Sequence, residues 1–236
     1  MKMIGRAALL FCFLTVSGLA YAGSITIGNN DSGNCYPFMC NDTGTNVGQS
    51  IDYQQVFTQS AFSGATTIDS ISWYYAAAFG GNDVVLGGSY TFYWGYSANP
   101  VNGLSTNLAS NVLGTETFLG TATVPAGGET YGSTLTLSGF NPFTYDPAIA
   151  PLLLEVVVDN QDAVLNGSGN GYNEADYTGT ATSRAWCDTN IGCFAGVGAL
   201  VTTFGTTTTT TPEPSSLLLL GTSLVGLGVL GRKLFG

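Results

Sequence analysis

The chain is 236 residues long, 44% hydrophobic and only 8% charged, with five Lys and Arg, fifteen Asp and Glu, and no histidine. Without histidine, and with lysine only at Lys2 and Lys233, it excludes Ser-His-Asp and Cys-His catalysis, a His-based zinc site and a lysine Schiff base. Between residues 23 and 211 fourteen acidic residues stand against one basic residue, Arg184, a net charge of about −13 that repels phosphate backbones and excludes nucleic-acid binding.

At the N-terminus, Lys2 and Arg6 form a charged n-region, residues 7–17 an apolar h-region, and Ala20-Tyr21-Ala22 an A-x-A cleavage site. This predicts a signal peptide over 1–22, recognised at Ala20 and Ala22, and a mature chain beginning at Gly23. Cys12 leaves with that peptide, and the remaining cysteines form two close pairs, Cys35 with Cys40 and Cys187 with Cys193. In an exported chain an even cysteine count reads as disulfides, and both gaps are wider than a C-x₂-C zinc knuckle. Four cysteines allow three connectivities. Local pairing is expected, each bridge stapling one short loop for roughly 2 kcal/mol.

The body, residues 23–204, reads as all-β. Gly, Thr, Ser and Asn punctuate it, and no window carries the i, i+3, i+4 apolar spacing of a helix. Ser24 to Gly28 and Tyr53 to Phe57 are short strand candidates. Ile71, Trp73 and Tyr75 fall on one face, with Ser70, Ser72 and Tyr74 on the other. Tyr90, Phe92, Trp94 and Tyr96 alternate with Thr91, Tyr93 and Gly95. Phe118, Ala122 and Val124 alternate with Leu119, Thr121 and Thr123, and Leu135 and Leu137 alternate with Thr134, Thr136 and Ser138. Period two means one buried and one wet face, the pattern of antiparallel sheet. Residues 152–158 are apolar on both sides apart from Glu155, as in a central strand covered on both faces, and Ser183 to Trp186 and Ala199 to Phe204 complete the set. Eight to ten strands broken by Gly-, Asn- and Pro-bearing turns predict one antiparallel β-sandwich of jelly-roll type. No repeat at a fixed period is present, which argues against a stacked β-helix.

Trp73, Trp94, Phe92 and Tyr90 are assigned to the core, whereas Tyr74 and Tyr93 point away from their strands' other rings and are candidates for stacking on sugars. Acidic and amide residues concentrate after the central strand and in the loop beyond it. Asp159, Asp162, Glu174 and Asp176 are candidate ligands for a structural calcium ion, though without EF-hand spacing, and no other cofactor is implied. A glycosidase needs two carboxylates about 5–10 Å apart, and spacing singles out no pair among Glu116, Glu129 and Glu155. Arg184 is expected to pair with a nearby carboxylate.

After the body comes a Thr-rich stretch, residues 205–211, which cannot bury apolar surface and is expected to be an extended spacer. Pro212-Glu213-Pro214 then leads into residues 215–231, which carry no charge until Arg232 and Lys233. Seventeen uncharged residues span about 25 Å as a helix, close to the roughly 30 Å of a bilayer core, and the basic pair keeps the terminus cytoplasmic. The order resembles the PEP-CTERM sorting signal of exported bacterial proteins. That resemblance implies a precursor tethered in the inner membrane, recognised at Pro212, Glu213 and Pro214 by an exosortase-type membrane protease and released to the cell surface or its polysaccharide matrix. The body is also similar to exported PEP-CTERM proteins with a single β-sandwich, through Asn34-Cys35-Tyr36-Pro37-Phe38, Tyr53-Gln54-Gln55-Val56-Phe57, Ser60-Ala61-Phe62 and Phe143-Thr144-Tyr145-Asp146-Pro147. This implies no activity. The expected function is therefore that of a non-enzymatic surface or matrix protein. A carbohydrate-binding module for exopolysaccharide is the first alternative and a matrix glycoside hydrolase the second.

Overall fold

The computed structural model describes residues 20–38, 51–76, 84–85, 87–124, 127–128, 133–161, 173–188 and 192–209. They fall almost entirely within one unit, Ala22–Thr208. The chain is all-β and antiparallel, with no α-helix among the described residues. Among those residues no helix is long and apolar enough to cross a membrane. The predicted span 215–231, and nearly all of the predicted signal peptide, lie outside them.

In chain order the strands are β1 (Ala20–Ile27), β2 (Ser32–Asn34), β3 (Ile51–Phe57), β4 (Thr66–Tyr74), β5 (Val84–Val85), β6 (Gly88–Ser97), β7 (Val112–Val124) and β8 (Gly127–Gly128). They continue as β9 (Thr134–Tyr145), β10 (Leu152–Gln161), β11 (Asn173–Asp176), β12 (Thr182–Asp188), β13 (Gly192–Gly196), β14 (Ala199–Leu200) and β15 (Thr202–Thr209). A six-stranded sheet runs β13-β12-β3-β10-β6-β7 and a four-stranded sheet β1-β15-β4-β9, with a smaller sheet β14-β11-β2 and the pair β5-β8 beside them.

The period-two pattern places the core. Ile71, Trp73 and Tyr75 from β4 and its end, and Tyr90, Phe92 and Trp94 from β6, are all buried. Rings from the two larger sheets meet in the core: Trp73 stacks 6.1 Å from Phe92, while Trp94 and Phe57 meet Phe204 edge-on at 5.6 and 4.9 Å. β10 is central, as its two-sided apolar run predicts. Leu152, Leu154, Val156 and Val158 face the other sheet, while Leu153 is buried on the opposite side.

Two expectations are corrected. Phe118 is 49% exposed and Leu119 is buried, the reverse of the alternation read from β7. The pairing skips a residue between Phe92–Gly120 and Tyr93–Phe118, so Leu119 is the extra residue of a bulge and turns inward in place of its neighbour. The Thr-rich stretch does not begin as a spacer. Gly205, Thr206 and Thr207 pair with Ser70, Ile68 and Thr67 of β4, and Thr206 is only 3% exposed. Sheet pairing on both sides satisfies the backbone there, and threonine's branched Cβ suits a pleated, half-buried surface.

Candidate functional site

The outer face of the six-stranded sheet gathers most of the chemistry. Its antiparallel register lines up Gln54 of β3, Glu155 of β10, Tyr93 of β6 and Phe118 of β7 in one row across four strands. The neighbouring row holds Asp52, Val157, Thr91 and Thr121. Residues 98–111, between β6 and β7, fold back over one half of this face. Asn102 N–H donates to Ser183 Oγ (2.7 Å), and Asn111 Nδ2 donates to Gln54 Oε1 (2.9 Å). Val56, Leu153 and Ala185 are buried beneath. In the other half Phe118 and Thr121 are exposed, Tyr93 is half-buried and Thr91 is buried.

At the border between the halves two carboxyl groups meet. Gly114 has φ +80°, and the β6–β7 register shifts between Trp94 and Tyr96, so Glu116 sits on a bulge that aims it across β6 at Gly95. A Cβ on Gly95 would stand 3.1 Å from Glu116 Cγ; the missing side chain lets Glu116 reach over β6 to Glu155 on β10. Burial first, then hydrogen bonding to Glu155 and its charge, push the Glu116 carboxyl up to about 8. At such a value the Glu116 carboxyl is protonated near neutrality, and its Oε1 is buried with no hydrogen-bond partner. Gln54 Nε2 donates to Glu155 Oε1 (3.1 Å), which completes a polar chain Asn111–Gln54–Glu155–Glu116 from the covering loop to the edge strand. Asp52 is also raised, by burial and then by the charge of Glu155. Neither Glu116 nor Glu155 stands out in the sequence by spacing. The available signals were a lone Glu in an apolar central strand and a Gly inside an alternating one.

The candidate residues scatter differently from their prediction. Tyr93 joins the acidic face, its ring 5.8 Å from Phe118 at 62°. Tyr74 lies on the outer face of the four-stranded sheet, half-buried, with its hydroxyl 2.6 Å from Thr203 Oγ1. The described calcium candidates fall on two different sheets. Asp159, on the six-stranded sheet, accepts from Thr91 Oγ1 (2.5 Å), whereas Glu174 and Asp176 belong to β11 in the three-stranded sheet. Asp176 Oδ1 is occupied by its own turn, accepting from Thr178 N (3.0 Å), Thr178 Oγ1 (2.5 Å) and Gly179 N (3.2 Å). Burial raises Glu174. Asp162 lies outside the described residues, and among those residues no three His, Cys, Asp or Glu side chains are placed to hold a metal ion.

Cys187 and Cys193 are bridged, opposite one another on β12 and β13, and Cys35 is disulfide-bonded, with Cys40 outside the described residues. Arg184 does not pair with a carboxylate among the described residues. It is 7% exposed on the inner side of β12, donating to Asn34 Oδ1 (2.5 Å) and Val197 O (3.1 Å), with its guanidinium 4.0 Å over the Trp186 ring. A delocalised cation is satisfied there by carbonyl oxygens and a ring face. Ala20 and Ala22 fall in β1, while Pro212, Glu213, Pro214, Arg232 and Lys233 lie outside the described residues.

Comparison with known families finds the PEP-CTERM protein-sorting motif at residues 210–233, which contains Pro212, Glu213, Pro214, Arg232 and Lys233. The motif implies export and sorting through exosortase-type machinery. No curated protein and no solved structure matches the chain.

Proposed function

We propose that this bearer of a PEP-CTERM protein-sorting motif is a non-enzymatic cell-surface or extracellular-matrix protein of a bacterium. Its precursor is tethered in the inner membrane by residues 215–231 and then processed by an exosortase-type protease. The observation that carries this reading is the motif match at 210–233, directly after the last strand of a disulfide-bearing, strongly acidic body. We read that body as a single β-sandwich of jelly-roll type, because rings from its two larger sheets share one core. Intact-mass measurement on protein from the native host tests the sorting route. The expected mature species begins at Gly23 and lacks residues 217–230; a surface species that retains them counts against processing.

A second reading, carbohydrate binding, is favoured by one specific feature, the half-exposed Phe118 ring beside Tyr93 on the outer sheet face. The hydrolase reading has no comparable support. Glu116 and Glu155 are hydrogen-bonded to each other, whereas retaining and inverting glycosidases hold their carboxyls about 5 Å or more apart, with the sugar between them.

A further inference from the structure

The half of the acidic face around Phe118 has a chemistry that discriminates among polysaccharides, a selectivity that rests on the carbohydrate-binding reading of this face. Phe118 offers a ring face on a rigid strand, and Tyr93 packs against it edge-on, so a pyranose can lay its C–H face on one ring beside a phenol hydroxyl. The same row and the next supply hydroxyl-binding groups: Glu155 beyond Tyr93, and Thr121 and Asp159 alongside. Thr91 Oγ1 is 3.0 Å from Thr121 Oγ1 and donates to Asp159. Every ionisable group in this set is a carboxyl or a phenol. The body's one cation, Arg184, lies on the opposite side of its sheet against Trp186.

We propose that the Tyr93–Phe118 row binds an uncharged pyranose polymer and rejects polymers that carry carboxylate or sulfate groups. A sugar carboxylate seated about 4 Å from Glu155 or Asp159 is opposed by about 1 kcal/mol per like charge even at the dielectric constant of water, about fivefold in affinity each. A neutral pyranose gives the same carboxylates hydroxyl donors to accept from, and charge-assisted bonds of that kind are the stronger ones.

Affinity electrophoresis of the mature, disulfide-intact protein separates the outcomes. The gels contain soluble neutral polymers (glucan, mannan, galactan and xylan) or polygalacturonate. Retardation is expected in at least one neutral gel, weakened tenfold or more in Phe118→Ala, with none in polygalacturonate. Phe118 is half exposed on an edge strand, so its truncation leaves the core intact, and a matched denaturation midpoint confirms that. Glu155→Gln is expected to raise affinity for polygalacturonate about fivefold while leaving the protein folded. Retardation by polygalacturonate that Phe118→Ala abolishes would overturn the charge selection yet keep carbohydrate binding. Neutral-polymer binding that Phe118→Ala leaves unchanged would overturn the assigned site. No retardation in any gel would overturn the carbohydrate-binding reading itself.

Discussion

Replacing Glu116 with Gln isolates the proton shared at the border of the acidic face. The amide keeps the volume and can donate to Glu155, so it stands in for the protonated carboxyl but does not titrate. Glu116 sits at about 8 in the folded protein against an ordinary 4.5, so between those values the native state holds a proton that the unfolded chain has released. The stability tied to that proton is fully present below about pH 4.5 and is lost as pH climbs through 8. A rise of that size sets a ceiling of roughly 5 kcal/mol. Glu116 is only about half-buried, and solvent screening of such a group brings the expected effect to about 1–2 kcal/mol. Urea unfolding followed by tryptophan fluorescence, at fixed ionic strength from pH 5 to 9.5, reads it directly. The wild type should match Glu116→Gln near pH 5 and fall below it by about 1–2 kcal/mol at pH 9. Asp52 is present in both proteins and cancels in the difference. Burial is the first cause of the shift, so Glu155→Gln should shrink the pH dependence without abolishing it. A wild-type minus Glu116→Gln difference that stays flat with pH would refute the shared-proton account.

Two further substitutions test the fold around the site. Thr206→Pro removes a backbone donor and places a ring inside β15, which is paired on both sides; it should cost about 3 kcal/mol or more in urea unfolding, whereas a spacer would tolerate it unchanged. Arg184→Ala strips two charge-assisted hydrogen bonds and the contact with Trp186, for about 3 kcal/mol, and should lower Tm by roughly 6–12 °C. Arg184→Lys should not rescue it, because an ammonium cannot reproduce the fork. A stabilised Arg184→Met would instead mean that desolvating the guanidinium outweighs its contacts.

How legible each feature is in the sequence depends on how local it is. The alternation of β4 and β6, and the two-sided apolar run of β10, record burial within a single strand, so Trp73, Phe92, Trp94 and Leu154 could be assigned to the core without knowing any partner. Features set by a neighbouring strand were not legible. The inward turn of Leu119 depends on a bulge defined against β6, and a one-residue slip inverts every face assignment before it. Glu116 and Glu155 are brought together across a third strand by the absent side chain of Gly95, a relation that no spacing rule encodes. Thr206 has a spacer's composition but a strand's position, because β1 and β4 supply the pairing its own segment cannot. Arg184 was assigned a carboxylate by charge balance alone, yet the sheet delivers it to Asn34, a carbonyl and an indole.

The two outer sheet faces compete for the binding role, and exposed ring area decides between them. On the four-stranded sheet the hydroxyls bond one another: Thr26 with Thr203 at 2.6 Å, Thr203 with Tyr74 at 2.6 Å, and Ser72 with Thr136 at 2.9 Å. A ligand hydroxyl arriving there exchanges one good bond for another, and the net gain of such an exchange is near zero. Tyr74 offers little further gain, since its hydroxyl is already engaged. On the acidic face Thr91, Thr121 and Asp159 are bonded in the same way, and Glu155 accepts from Gln54, so hydroxyl exchange gains no more there. The difference is the half-exposed ring of Phe118: covering about 100 Å² of it contributes about 2 kcal/mol. Tyr93 is therefore the better of the two tyrosines, not for its own exposure but for what stands on either side of it in the row.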